Sequence, residues 1–383
     1  MVRAVSSDHI MFQECIEVFR PISDTHTISN DSEKEGYLLL DFNLPSELNF
    51  NKFKIAPTHN VKFSFGPYSS FVAPVVLLDY KGLDSHLYVI ALSSLVSFIT
   101  SRPAKAPRDS YTGSLGYETL ALQFPHKVAG TGYVNTFLAD NKIQEFASEI
   151  NEVVELLYEL PYEYYERFMQ SIRLINLAHN NKRDDFALAY YLLVSAIEGI
   201  AQMAIPPEIN KDPQEDHWEE LAKEHKPLKS LLAQFRNYRE NSGQLMKRFT
   251  NFILKYCPES EWLRLEHHEE ERMAQYENAD QFGWQTKKQW DEVYPEDFKT
   301  RDIKKVIEDT YRYRSKFTHE GKGPPHRYPE PYHRFFETIH TWDDEKGPRA
   351  KHLINYRLLA FIAKNSILEY MRDLYKQLRT VEK

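Results

Sequence analysis

The sequence predicts an α+β fold, with a strand-rich N-terminal part followed by an all-α bundle. Two patterns carry this. Up to residue 139, short β-branched or aromatic runs alternate with Pro, Gly and Asn. From residue 140 the apolar residues recur at threes and fours instead. Composition supports a folded chain of this size: 383 residues, 42% hydrophobic and 27% charged, are enough for two sizeable cores. The expected division is an N-terminal sensing or regulatory domain over residues 1–139 and a helical domain over 140–383.

The N-terminal runs are Gly36-Tyr-Leu-Leu-Leu-Asp-Phe, Val61-Lys-Phe-Ser-Phe and Val75-Val-Leu-Leu-Asp-Tyr. The second alternates apolar and polar residues, as a half-buried strand does. A helix is expected over residues 85–100, stopped by Pro103 and Pro107. A further strand is expected over residues 117–124.

Ile143, Phe146, Ile150, Val153, Val154 and Leu157 mark the first helix of the bundle, which Pro161 closes. A second is expected over 162–178. A third, over 184–203, is apolar nearly all round and so belongs in the middle of the bundle. Residues 208–227 are polar and acidic and read partly as a loop. Further helices are expected over 228–238, 242–256, 259–276 and 301–317. A proline-rich loop follows, and a long helix over 349–378 closes the chain.

Several classes are disfavoured. The two cysteines, Cys15 and Cys257, form no Cys-x-x-Cys pair, which fits a reducing cytoplasmic setting without a disulfide framework. The N-terminus lacks the apolar core of a signal peptide. The most apolar run, Leu87 to Ile99, is interrupted by three serines and is too short to span a bilayer. No membrane association, metal or cofactor is expected. His267-His268-Glu269-Glu270 lacks a second histidine at the metalloprotease spacing. The total charge of −8 hides an asymmetry: residues 299–383 hold 19 Lys and Arg against 12 Asp and Glu. A basic block of this kind suits a phosphate-bearing partner, or the acidic remainder of the same chain.

The residues most suggestive of chemistry are Arg314-Ser-Lys-Phe-Thr-His319, the one R-x4-H motif of the chain. Arginine offers phosphate a rigid fork of donors, and histidine exchanges protons near neutral pH. A structural explanation competes. A histidine in the last turn of a helix suits the dipole, Gly321 suits a C-cap, and Arg314 can pair with Glu308 or Asp309. Geometry adds a demand: five residues at ~100° each set Arg314 and His319 about 140° apart on a regular helix. For both to meet one phosphate, the helix must end near His319, or two subunits must pool their motifs across a two-fold axis.

The second half of the chain, residues 140–383, resembles the HEPN superfamily, more narrowly the HEPN domains of ApeA-like defence proteins. The likeness rests on the R-x4-H motif and on Ser195-Ala-Ile-Glu198 in the preceding apolar helix. It implies a metal-independent endoribonuclease site with Arg314 and His319 as catalytic residues, Glu198 as their acidic support and Ser315 beside them. It further implies a homodimer with a composite site, RNA (tRNA or mRNA) as substrate, a role as toxin or anti-phage effector, and an antitoxin or defence partner. The chain departs from the family pattern at Ser315, where Asn, Asp or His is common, and at Glu320, where Gly is common. The Glu320 carboxylate would repel phosphate unless it turns away or pairs with Lys316 or Lys322. Lys316, Lys322, His326, Arg327 and Arg334 interleave cations with aromatics, as RNA-binding loops do. The same prolines that punctuate this stretch also suit a plain stiff surface loop. A non-catalytic module that binds nucleotide, RNA or protein is the alternative reading.

Overall fold

The computed structural model describes residues 13–20, 34–78, 85–108, 115–130, 133–208, 212–241, 244–265, 298–323, 335–343 and 347–381. The chain is α+β, with a strand-rich N-terminal region followed by a mostly helical one. The first region contains β1 (Lys34–Leu40), β2 (Leu48–Asn49), β3 (Phe53–Ile55), β4 (His59–Lys62), β5 (Tyr68–Leu77), α1 (Ser85–Thr100), β6 (Ala104–Lys105), α2 (Tyr117–Ala121) and β7 (His126–Lys127).

The ten-residue β5 organises the sheet. The order is β2-β3-β5-β1-β6, with β4 and β7 also paired to β5, every pairing antiparallel. Alternation fixes the faces. Phe71, Ala73, Val75 and Leu77 point into the main core. Val72 and its partner Leu39 point the other way, into a small outer core that α2 closes with Leu120 and Ala121. Helix α1 lies on the inner face. A Cβ at Gly36 would stand 2.5 Å from Val89 Cγ2, so glycine is what lets the helix approach β1 this closely.

The second region contains α3 (Asp140–Glu159), α4 (Tyr162–Asn181), α5 (Phe186–Ala204), α6 (Glu215–Glu224), α7 (Lys226–Asn241), α8 (Leu245–Tyr256), α9 (Glu259–Trp262), α10 (Ile303–Glu320), β8 (Phe336–Asp343), β9 (Gly347–Ile354) and α11 (Tyr356–Val381). Asp185 caps α5, its Oδ1 accepting from Leu188 N–H at 2.9 Å. As its composition demands, α5 is central, packed by α4, α8, α10 and α11. It is the one described helix long and apolar enough to cross a membrane, and 56% of that window is buried inside the protein. One hydrophobic cluster runs from Phe19 through the sheet and α1 to Leu374 of α11, so the change of architecture near residue 140 is not a break in the core. Asn176 of α4 donates to Ala104 O of β6 at 2.9 Å, tying the two regions further.

Two expectations are corrected and one is refined. Residues 117–124 begin a helix, not a strand. Leu120, Ala121 and Phe124 are the buried ones, a helical spacing that outweighs the aromatic content. The polar stretch 208–227 holds α6, whose first turn carries Glu215 and Asp216 and whose Glu215 pairs with Arg236 of α7 at 2.6 Å. The closing helix begins at Tyr356, not near 349. Residues 347–354 instead pair with Phe336–Asp343 as a hairpin, and Asn355 starts the helix by accepting from Leu358 N–H at 2.8 Å. The extension of α9 toward residue 276 and the His267–Glu270 group lie outside the described residues.

Burial also sets an acid limit. His179 is enclosed between α4 and α11, with Nδ1 3.3 Å from Tyr356 Oη and Nε2 without a partner. Burial pulls its pKa down from 6.5 to about 3, and that of His126 to about 4. Both groups bind protons in the unfolded chain first. Their contribution to stability is complete above 6.5 and is lost as pH falls toward those values. Glu337 opposes them, since burial raises its carboxyl to about 7, which favours the fold as pH drops from 7 to 4.5. Two groups outweigh one, so the melting temperature will fall between pH 6.5 and 4. Thermal melts across that range check this, and His179→Gln, which keeps a partner for Tyr356, will flatten the slope.

Candidate active site

Helix α10 buries one side, formed by Ile303, Val306, Ile307, Thr310 and Tyr311, against the bundle. It runs antiparallel to α5. Tyr311 Oη donates to Glu198 Oε1 at 3.1 Å, and one and a half turns later the Phe317 ring lies 5.0 Å from that of Tyr191. This crossing brings the motif arginine to the α5 carboxylate. Arg314 Nε stands 3.0 Å from Glu198 Oε2, with the Tyr191 ring 5.9 Å from the guanidinium carbon.

The pair is electrostatic more than directional. The Nε–H is not aligned on the oxygen, and Nε is buried without a hydrogen-bond acceptor. Glu198 is 4% exposed, and its Oε1 also accepts from Gln202 Nε2 at 3.3 Å. A carboxylate this enclosed needs such partners to offset its burial. The Tyr311 phenol responds in turn: burial, then the neighbouring Glu198 charge, pushes its pKa up. Of the two competing partners proposed for Arg314, Glu308 and Asp309, the latter is engaged elsewhere. Asp309 binds Arg312 at 2.8 Å and Lys351 at 3.4 Å.

His319 sits apart from this cluster. The helix does not break at Thr318–Glu320; it continues through Glu320. Gly321 then takes the left-handed conformation at φ 64°, where a side chain would be strained. Gly321 N–H donates to Phe317 O at 3.2 Å and Lys322 N–H to Lys316 O at 3.3 Å. On this continuous helix His319 is exposed, while Arg314 faces α5, so one chain does not bring the two side chains together. Ser315 is half-buried and Lys316 exposed. The Glu320 carboxylate is paired with Lys322 at 2.7 Å, and that hydrogen bond holds its pKa below the usual range. The pairing offsets a negative charge beside His319, but it also takes up Lys322. His326, Arg327 and Arg334 lie outside the described residues.

The sequence reading missed Tyr311, Tyr191 and Gln202. Their spacing contains a signal: Tyr311 precedes Arg314 by one turn, and Tyr191 and Gln202 share the Glu198 stripe of α5. Among the described residues no group of three or more His, Cys, Asp or Glu side chains could hold a metal ion. No family model matches the chain, and neither a curated protein nor a solved structure does.

Proposed function

We propose that this chain is a metal-independent endoribonuclease of the HEPN type, acting as a homodimer whose cleft pools two R-x4-H motifs. The observation that carries the reading is the 3.0 Å contact between Arg314 and Glu198. A buried carboxylate holds the arginine from the neighbouring helix, and the Arg314 side chain as a whole stays 24% exposed, which leaves it room to meet a phosphate. His319 waits in solvent one and a half turns further on.

The chemistry needs few groups. The RNA 2′-OH is the nucleophile. His319 of one subunit takes its proton, and the leaving 5′-oxygen takes a proton from water. Arg314 stabilises charge on the phosphorus oxygens as it builds. Glu198 is a positioning residue. The product ends in a 2′,3′-cyclic phosphate, and DNA, which lacks the hydroxyl, is not cut. The setting would be a cytoplasmic toxin or anti-phage effector, held by an antitoxin or a defence partner until triggered.

One observation favours the alternative of a non-catalytic binding module. Glu198 offsets the charge of Arg314, and a single chain keeps Arg314 and His319 about 140° apart. Cleavage of RNA by the purified protein in EDTA decides between them. Cleavage is expected, with cyclic phosphate ends seen by mass spectrometry, and His319→Ala will lower the rate by roughly 10²–10⁴-fold. Binding without cleavage, unchanged in that variant, would establish the binding module.

A further inference from the structure

We propose that the outer face of the N-terminal sheet is a stacking track for single-stranded RNA. This deepens the ribonuclease reading and rests on it for the choice of RNA as ligand. The observation is a row of aromatic rings along β4 and the turn that follows it. The Tyr117 ring stacks on His59 with centroids 3.9 Å apart and planes 17° apart. Further along, Phe63 and Phe65 stack at 4.9 Å, and Phe65 is 54% exposed beside the turn at Gly66. His59 and Phe63 are separated by about 13 Å of strand, room for a short single strand.

The exposure is what needs explaining. A small apolar core lies on this same face, around Leu39, Val72 and Leu120. Val61 and Phe63 pack against it, but Phe65 and Tyr117 leave much of their surface in water, where burial would stabilise the fold. Beside the rings, an open groove of about 550 Å³ runs between β4 and the start of α2. It is lined by Asn60, Lys62 and Glu118, all exposed. An exposed ring accepts the face of any base. The Glu118 carboxylate meets base edges from the ring side, while Asn60 and Lys62, which alternate with His59 and Val61, reach the strand's phosphates only around the free edge of β4. An added peptide strand would need only the edge of β4; the ring faces are what favour RNA.

Binding of fluorescein-labelled oligouridine to the full chain tests the track, read by anisotropy in the His319→Ala background so that cleavage does not intrude. Phe65→Ala and Tyr117→Ala will each weaken binding by roughly tenfold, and Tyr117→Phe, which keeps the ring, will not. Both side chains are exposed, and thermal melts confirm that the variants fold. Unchanged affinity in both alanine variants overturns the track; if the parent protein still cleaves RNA, the ribonuclease reading survives that result. Loss of affinity in the alanine variants of a protein that cuts nothing would instead keep the track and sink the nuclease. Capture of an extended peptide with no response to oligouridine also overturns it.

Discussion

Mixing the Arg314→Ala and His319→Ala proteins will restore RNA cleavage that neither shows alone, to about a quarter of the wild-type rate. The expectation follows from α10. Its helix runs unbroken to Glu320, so Arg314 faces the Glu198 carboxylate while His319 faces solvent. On a regular helix the two side chains leave the backbone about 140° apart. In the proposed dimer a working site therefore draws the arginine of one subunit and the histidine of the other. In a mixed dimer one of the two composite sites keeps both groups, and random exchange makes about half of all dimers mixed. Cleavage assayed after subunit exchange, with molar mass measured by light scattering, gives the answer. Dimers that exchange without recovering activity would mean that each motif works within its own chain. A chain that stays monomeric yet cleaves RNA would refute the shared cleft altogether.

The sequence announced the parts of this site better than their assembly. The periodicity of Ile143 to Leu157, the break at Pro161 and the cap at Asp185 are local signals, and the helices they imply are present. The central place of α5 was equally legible, because a helix apolar on every side has nowhere else to go. What spacing did not contain was the crossing of α10 over α5. That contact joins residues more than a hundred positions apart, and it alone decides that Arg314 meets Glu198 and not Asp309. The β8–β9 hairpin escaped for a different reason. Its second strand, Gly347-Pro-Arg-Ala-Lys-His-Leu-Ile, buries Leu353 and Ile354 at its end and owes its extended form to pairing with β8. Strand propensity of that kind depends on the partner more than on the residues. At residues 117–124 the aromatic content pointed to a strand, while the positions that pack, Leu120, Ala121 and Phe124, required a helical turn.

Glu198→Leu will cost stability and activity together, and adding Arg314→Leu will return part of the stability and none of the activity. Removing one partner of a buried ion pair costs about 3–5 kcal/mol. Arg314 is 24% exposed, so water can screen part of the uncompensated charge, and a loss of about 2–3 kcal/mol is the better expectation. The single variant also strands the Tyr311 hydroxyl, which has Glu198 Oε1 as its acceptor. Replacing both charges removes the desolvation penalty along with the attraction, which is why paired apolar replacements are often near neutral. Urea unfolding of the two single variants and the double variant gives the coupling between the residues. Catalysis obeys a different rule. Neither leucine can stabilise a phosphorane, so the double variant, more stable than Glu198→Leu although Tyr311 still lacks its acceptor, will remain as inactive as Arg314→Leu alone. Glu198→Gln separates positioning from folding. It preserves an acceptor for Tyr311 and the shape of the cluster but releases the guanidinium, so kcat will fall while KM changes little. Equal losses of stability and activity across all four proteins would mean that Glu198 and Arg314 hold the helices together and do nothing more.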